Sequence, residues 1–159
     1  MSAKKPTVLF VCTGNVCRSP AAELLLKQLL GTSASRFTIR SAGTKAVAEQ
    51  PVDPTIASLL VHLGVRVDHF RSRALEVPMI SSADLILTAS TSHRAAVARL
   101  HPASLRKTLT LKQLARYAPQ ILANSPRPSH TEQMIPWILE SIPLARSRTP
   151  RDVSDSIID

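Results

Sequence analysis

An apolar run from Thr7 to Val11 stops at Cys12-Thr13-Gly14-Asn15-Val16-Cys17-Arg18-Ser19-Pro20, and an amphipathic helical pattern follows at once. A strand that passes directly into a helix through so short a loop has few folds open to it, because the helix must cross a sheet and return the chain to a parallel neighbour. The loop has a chemistry of its own. Its successive N–H groups turn toward the loop centre, where the positive end of the helix dipole favours an anion. The same field favours a thiolate, and Cys12, at the strand end, would lie beneath that anion. Arg18, in the first helical turn, can fork onto two phosphate oxygens. Gly14 and Asn15 are residue types that tolerate the left-handed backbone such a cradle requires. A cysteine and an arginine five residues apart are a weak signal alone. The Gly-Asn turn, Arg-Ser, the early proline and the amphipathic helix agree in register and make it specific.

Strands and helices alternate along the rest of the chain. Arg18 to Leu30 reads as a helix with Leu24, Leu25, Leu26 and Leu29 among its inward residues and Glu23, Lys27 and Gln28 outside, ended by Gly31. Phe37 to Arg40 reads as a short strand, Pro54 to Leu63 as a helix stopped by Gly64, and Asp84 to Ala89 as a buried strand. A helix over Ser92 to Leu100, a strand over Thr108 to Leu111 and a helical turn to Tyr117 follow. Ala118 to His130, with Pro119, Pro126 and Pro128, reads as a loop, and Thr131 to Ala145 as a helix broken by Pro136 and Pro143. The expectation is an α/β domain with a parallel sheet and helices on both faces.

These residues resemble the low-molecular-weight protein tyrosine phosphatases. Val11 through Glu23 is similar to that family's N-terminal signature, and Ser41-Ala42-Gly43-Thr44, Asp84-Leu85-Ile86-Leu87 and Ser92-His93-Arg94 follow in its order and spacing. The resemblance implies a four-stranded parallel sheet with the phosphate-binding loop after strand 1, the end at which open α/β sheets place ligands. It implies, together with the chemistry, that Cys12 is the nucleophile that forms a phosphocysteine. Thr13, Gly14, Asn15, Val16, Cys17, Arg18 and Ser19 would bind the phosphate, Thr13 through Arg18 by their N–H donors, and Arg18 would add charge to the transition state. Ser19 would favour the thiolate, and Asn15, Ser19 and Ser41 would hold the loop in shape. Cys17 is either a small packed residue or a disulfide partner shielding oxidised Cys12, a device the family uses.

Two stretches depart from the family pattern. The leaving tyrosine oxygen takes its proton, in the family, from an aspartate in an Asp-Pro pair. Here Asp152-Val153-Ser154-Asp155 fits the approach, but Ser156 stands at the proline position and the sequence ends at Asp159. Asp155 is the general-acid candidate, with Asp152 and Asp159 as substitutes. The expectation is a single domain over 1–159 lacking the family's final helix. The loop Lys45 to Pro51 holds no aromatic ring to stack on phosphotyrosine, leaving Val47 and Ile157 as aliphatic walls. His69 stands beside the place where relatives put a supporting histidine, with Phe70 as the alternative occupant.

Composition narrows the partners. With 44% hydrophobic and 3% aromatic residues, 159 residues can bury one aliphatic core. Cys12 and Cys17 are its two cysteines and share one loop, so no disulfide framework is expected, as in a reducing compartment. No apolar stretch approaches a membrane span and no signal-peptide centre is visible, giving a cytoplasmic expectation. The net charge of +9 is scattered, without stacking aromatics or a DNA-binding motif, so it reads as a solvated face that steers anionic substrates rather than as a nucleic-acid or membrane surface. His62, His93, His101 and His130 show no metal-ligand spacing and read as surface or cap residues; no metal or cofactor is expected. The partners implied are phosphotyrosine-containing proteins, with inorganic phosphate or another oxyanion in the loop. Two other functions compete: arsenate reduction on the same loop, and a catalytically impaired phosphate-binding regulator.

Overall fold

A computed structural model describes residues 4–124 and 126–150. Strand β1 (Thr7–Cys12) lies between β2 (Thr38–Gly43) and β3 (Leu85–Thr88), and β4 (Thr108–Thr110) completes a four-stranded sheet of order β2-β1-β3-β4. Every pairing is parallel, with Thr7 opposite Thr38, Val8 opposite Leu85 and Ile86 opposite Thr108. The chain steps outward from β1 to β2 and then crosses to the other side of β1. The carboxyl ends of β1 and β3 therefore flank the point where the winding reverses, and a crevice opens there.

The alternating side chains of β1 feed two cores. Val8 and Phe10 join Ile39, Leu85, Leu87 and Leu109 on one face; Leu9 and Val11 join Ala42 and Ile86 on the other. The second face is closed by Ile80 of α3 (Val77–Ser82) and Val97 of α4 (Thr91–Leu100). The first face takes Ala22, Leu26 and Leu30 of α1 (Arg18–Leu30), together with α5 (Leu111–Asn124) and α6 (Met134–Arg148). α1 also presents Ala21, Leu24 and Leu25 to a third cluster built on Leu60 of α2 (Pro54–His62), Val52, Val65 and Phe70. Each such aliphatic side chain contributes about 1.5–3 kcal/mol when fully buried.

Four local expectations are corrected. Glu23, read as outward, is 3% exposed, and Leu29, read as inward, is 82% exposed. Ala118 to Asn124 is not loop: α5 runs through Pro119 because Leu114, Tyr117 and Ile121 lie at helical spacing on the core, and their burial outweighs the hydrogen bond that proline cannot donate. Pro136 does not break the last helix. It sits in the first turn of α6, where a backbone N–H has no helical acceptor anyway, and only Pro143 is interior. Gly31 does end α1, at φ 53°, and passes the chain into a 3-10 turn, Gly31–Arg36. α3, six residues long with Pro78 near its start, was not foreseen.

Candidate active site

The carboxyl end of β1 delivers Cys12 to the floor of the crevice, where it is 2% exposed. The chain then curls around the sulfur. Asn15 takes the left-handed conformation, φ 53°, and its N–H donates to Cys12 Sγ at 3.3 Å. Ser19, in the first turn of α1, brings its hydroxyl to 2.8 Å from the same sulfur. The amino end of α1 opens directly onto the loop, so two hydrogen-bonding groups and a helix terminus converge on one thiol.

A buried polar network keeps the loop in this shape. Asn15 Nδ2 donates to Ser19 Oγ and to Ser41 Oγ, each at 2.9 Å, and Asn15 Oδ1 accepts from the Arg73 backbone N–H at 2.8 Å. Ser41 donates to Glu23 Oε2 at 2.6 Å, and Lys27 covers Glu23 Oε1 at 2.6 Å. Glu23 thus sits below water's reach with both oxygens engaged, which is why a carboxylate survives on the inner face of α1. The end of β2 closes against the loop from the side. Thr44 N–H donates to Cys12 O and Lys45 N–H to Thr13 O, both at 2.9 Å. This approach needs Gly43: a Cβ there would fall onto the Thr13 carbonyl oxygen and within 2.9 Å of Asn15 N.

On the opposite wall, Arg18 Nη2 donates to Thr13 Oγ1 at 3.3 Å, and Thr13 Oγ1 lies 2.8 Å from His93 Nε2. His93, read from the sequence as a surface or cap residue, is buried, 6% exposed, in the first turn of α4. Ser90 is the cap of that helix. Cys17 stands just before α1 as a free, half-buried thiol. Burial pushes its pKa up, nearby Asp53 and Cys12 add to the rise, and Arg18 opposes it.

The structure therefore brings Cys12, Asn15, Arg18, Ser19 and Ser41 together around one loop whose remaining members are Thr13, Gly14, Val16 and Cys17. Asp155 lies outside the described residues, as do Asp152, Ser156, Ile157 and Asp159. Val47 is 69% exposed on the loop after β2, and Phe70, not His69, packs into the neighbouring core. Sequence reasoning missed Glu23, Lys27 and His93. The signal for His93 was its place at the start of the helix after β3, beside the reversal in strand order. Among the described residues no group of three or more His, Cys, Asp and Glu side chains is placed to hold a metal ion. No helix there is long and apolar enough to cross a membrane.

A strand-to-helix loop curled about a buried thiol, with an arginine on its wall, defines a phosphate-handling cysteine site on an α/β sheet. The family model described as low molecular weight phosphotyrosine protein phosphatase matches residues 7–134, and the chain belongs to that family. It is 32% identical over 111 residues to the probable low molecular weight protein-tyrosine-phosphatase EpsP of Ralstonia nicotianae, covering 70% of this chain and 74% of that one. It is 33% identical over 106 residues to a protein-arginine-phosphatase of Bacillus subtilis, covering 67% and 70%. Among solved structures, the tyrosine phosphatase AmsI of Erwinia amylovora superposes with a TM-score of 0.64 at 26% identity, covering 94% of this chain and 96% of that one.

Proposed function

We propose that this protein is a cytoplasmic phosphatase that hydrolyses phosphotyrosine in proteins, with Cys12 attacking phosphorus to form a phosphocysteine that water then cleaves. The observation that carries this reading is the pair of hydrogen bonds to Cys12 Sγ, from Asn15 N–H and with Ser19 Oγ, at the amino end of α1. As the S–P bond forms, the tyrosine oxygen leaves with a proton; as water cleaves that bond, the sulfur leaves as the thiolate those groups stabilise. Arg18 and the N–H groups of Thr13 through Arg18 hold the three equatorial oxygens through both steps. Asn15 and Ser41 act at one remove, by fixing the loop. Asp155 is the proton donor to the tyrosine oxygen. The names of the relatives support a phosphorylated protein as substrate, most of them on tyrosine.

Variant kinetics, mass spectrometry and a choice of substrates test this. Cys12→Ser should lose p-nitrophenyl phosphate turnover by at least about a thousandfold, while mass spectrometry of the wild type quenched during turnover shows a phosphate on Cys12. Full turnover by Cys12→Ser would remove the covalent mechanism, and a wild type that binds vanadate yet hydrolyses nothing would leave a phosphate-binding regulator. Phosphoarginine peptides, run beside phosphotyrosine peptides, decide which phosphoamino acid the site prefers. Asp155→Asn should slow phosphotyrosine peptides by about 10²-fold and p-nitrophenyl phosphate, whose leaving group barely needs a proton, far less. Equal slowing of both would take the acid role away from Asp155.

A further inference from the structure

We propose that His93 is a positioning residue of this site, holding the Thr13 hydroxyl and, through it, the Arg18 guanidinium from the far side of the crevice. The proposal rests on the phosphatase reading of the Cys12 loop and goes beyond it. Its basis is a continuous chain of side-chain contacts from two elements distant in sequence. Arg18 Nη2 donates to Thr13 Oγ1 at 3.3 Å, Thr13 Oγ1 meets His93 Nε2 at 2.8 Å, His93 Nδ1 meets Ser90 Oγ at 2.5 Å, and Ser90 Oγ meets Ser92 Oγ at 2.7 Å.

One direction that fits these contacts runs outward from Arg18. Thr13 Oγ1 accepts from a cation, which polarises its own O–H and makes it the better donor toward Nε2. In that arrangement Nε2 accepts from Thr13 Oγ1 and the ring N–H at Nδ1 donates to Ser90 Oγ. Ser90 Oγ, which also accepts weakly from the His93 backbone N–H at 3.4 Å, passes its proton to Ser92. The ring itself has no freedom to leave, because it is buried in the first turn of α4 and tied at both nitrogens.

The placement gives His93 its part in the site through Thr13 Oγ1. Cys12 ends β1 and Arg18 opens α1, whereas His93 stands on α4, which packs on the sheet through Val97. A tie from α4 to Thr13 gives the guanidinium an external reference. Arginine positioning matters most when charge moves onto the equatorial oxygens, so its loss should appear in kcat more than in KM.

The test is a double-mutant cycle on p-nitrophenyl phosphate turnover with His93→Ala, Thr13→Val and the two combined, each checked for folding by thermal melting. Each single variant should lower kcat about 10-fold with KM within about 3-fold, and the double variant should be no slower than the worse single one. His93→Gln, whose amide oxygen can accept from Thr13, should recover most of the rate. Multiplying losses in the double variant, or His93→Ala within twofold of wild type, would overturn the proposal. Should His93→Ala fail to fold, Thr13→Val breaks the same chain at its next link with a nearly isosteric change, and an unchanged kcat there overturns it equally. Failure of the phosphatase reading looks different: it appears as undiminished turnover by Cys12→Ser, whatever His93 does.

Discussion

At the carboxyl end of β1, Asn15, Ser19, Glu23 and Ser41 are all buried and bonded to one another, whereas α5 and α6 meet the same sheet through Tyr117, Ile121, Ile135, Ile142 and Ala145. The two regions are held by different physics. Directional polar contacts define a single loop geometry and punish small displacements, since each unpaired buried group costs about 1–3 kcal/mol. Apolar contacts tolerate imprecision, so the helical pair absorbs two interior prolines, Pro119 and Pro143, without losing its seat on the sheet. Chemistry has settled in the region that cannot be distorted cheaply.

Gly43→Ala is the harshest way to test that contrast. The added methyl would strike the Thr13 carbonyl oxygen and crowd Asn15 N and Ala46 Cβ, two of the three being backbone atoms of the loop itself. The loop must move to admit it. Stability in urea should fall by about 3 kcal/mol, and vanadate affinity by about 100-fold, because the oxyanion cradle shifts by a fraction of an ångström to an ångström. A variant of native stability and native vanadate affinity would mean that the loop is as forgiving as the helical pair.

How far each region could be read from the chain follows the same division. The loop was legible because its logic is local: Cys12, Asn15, Arg18 and Ser19 meet within eight residues, and the helix start and left-handed turn leave marks in residue type. Ser41 needed the family likeness as well. Glu23 was misread because a helical pattern records which side chains are polar and nothing of the partners that make one burial tolerable; Ser41, 18 residues on, supplies that partner. His93 was further out of sight, 80 residues from the Thr13 it contacts. The four parallel strands followed from alternation and resemblance, whereas their order, β2-β1-β3-β4, is set by tertiary pairing that no local pattern records. The C-terminal helices were misjudged at Pro119 and Pro136, where proline is a strong local signal and tertiary burial overrules it. Asp155 and the final helix lie beyond what the described residues address.

Pro119→Ala sharpens the comparison from the tolerant side. Pro119 is exposed, so alanine removes no core contact and restores an N–H to the ninth residue of α5. An interior proline costs a helix about 3 kcal/mol, part of which local relaxation recovers. The variant should gain about 1–2 kcal/mol in urea denaturation with turnover within twofold. A loss of stability would show that α5 depends on the proline for its path, and that the helical pair is as particular as the loop.

The mildest test lies at the seam between the loop and α2. Asp53 N–H donates to the Val16 carbonyl at 2.9 Å, which brings its carboxylate close to Cys17, and its Oδ1 caps α2 by accepting from Thr55 N–H at 3.0 Å and Ile56 N–H at 3.3 Å. Burial raises the Cys17 pKa first, Asp53 adds to it, and Cys12 adds again, against the opposing pull of Arg18. Asp53→Asn removes one raising cause and leaves the desolvation in place, so the thiol pKa falls part of the way back. Asparagine caps a helix about as well as aspartate, so α2 should keep its start. In a Cys12→Ser background, which leaves Cys17 as the chain's single cysteine, iodoacetamide alkylation at pH 8 should run about 2–3-fold faster in Asp53→Asn. An unchanged rate would mean that Asp53 contributes a cap and a backbone tie but no effective charge, and that desolvation alone raises the pKa of the loop's second thiol.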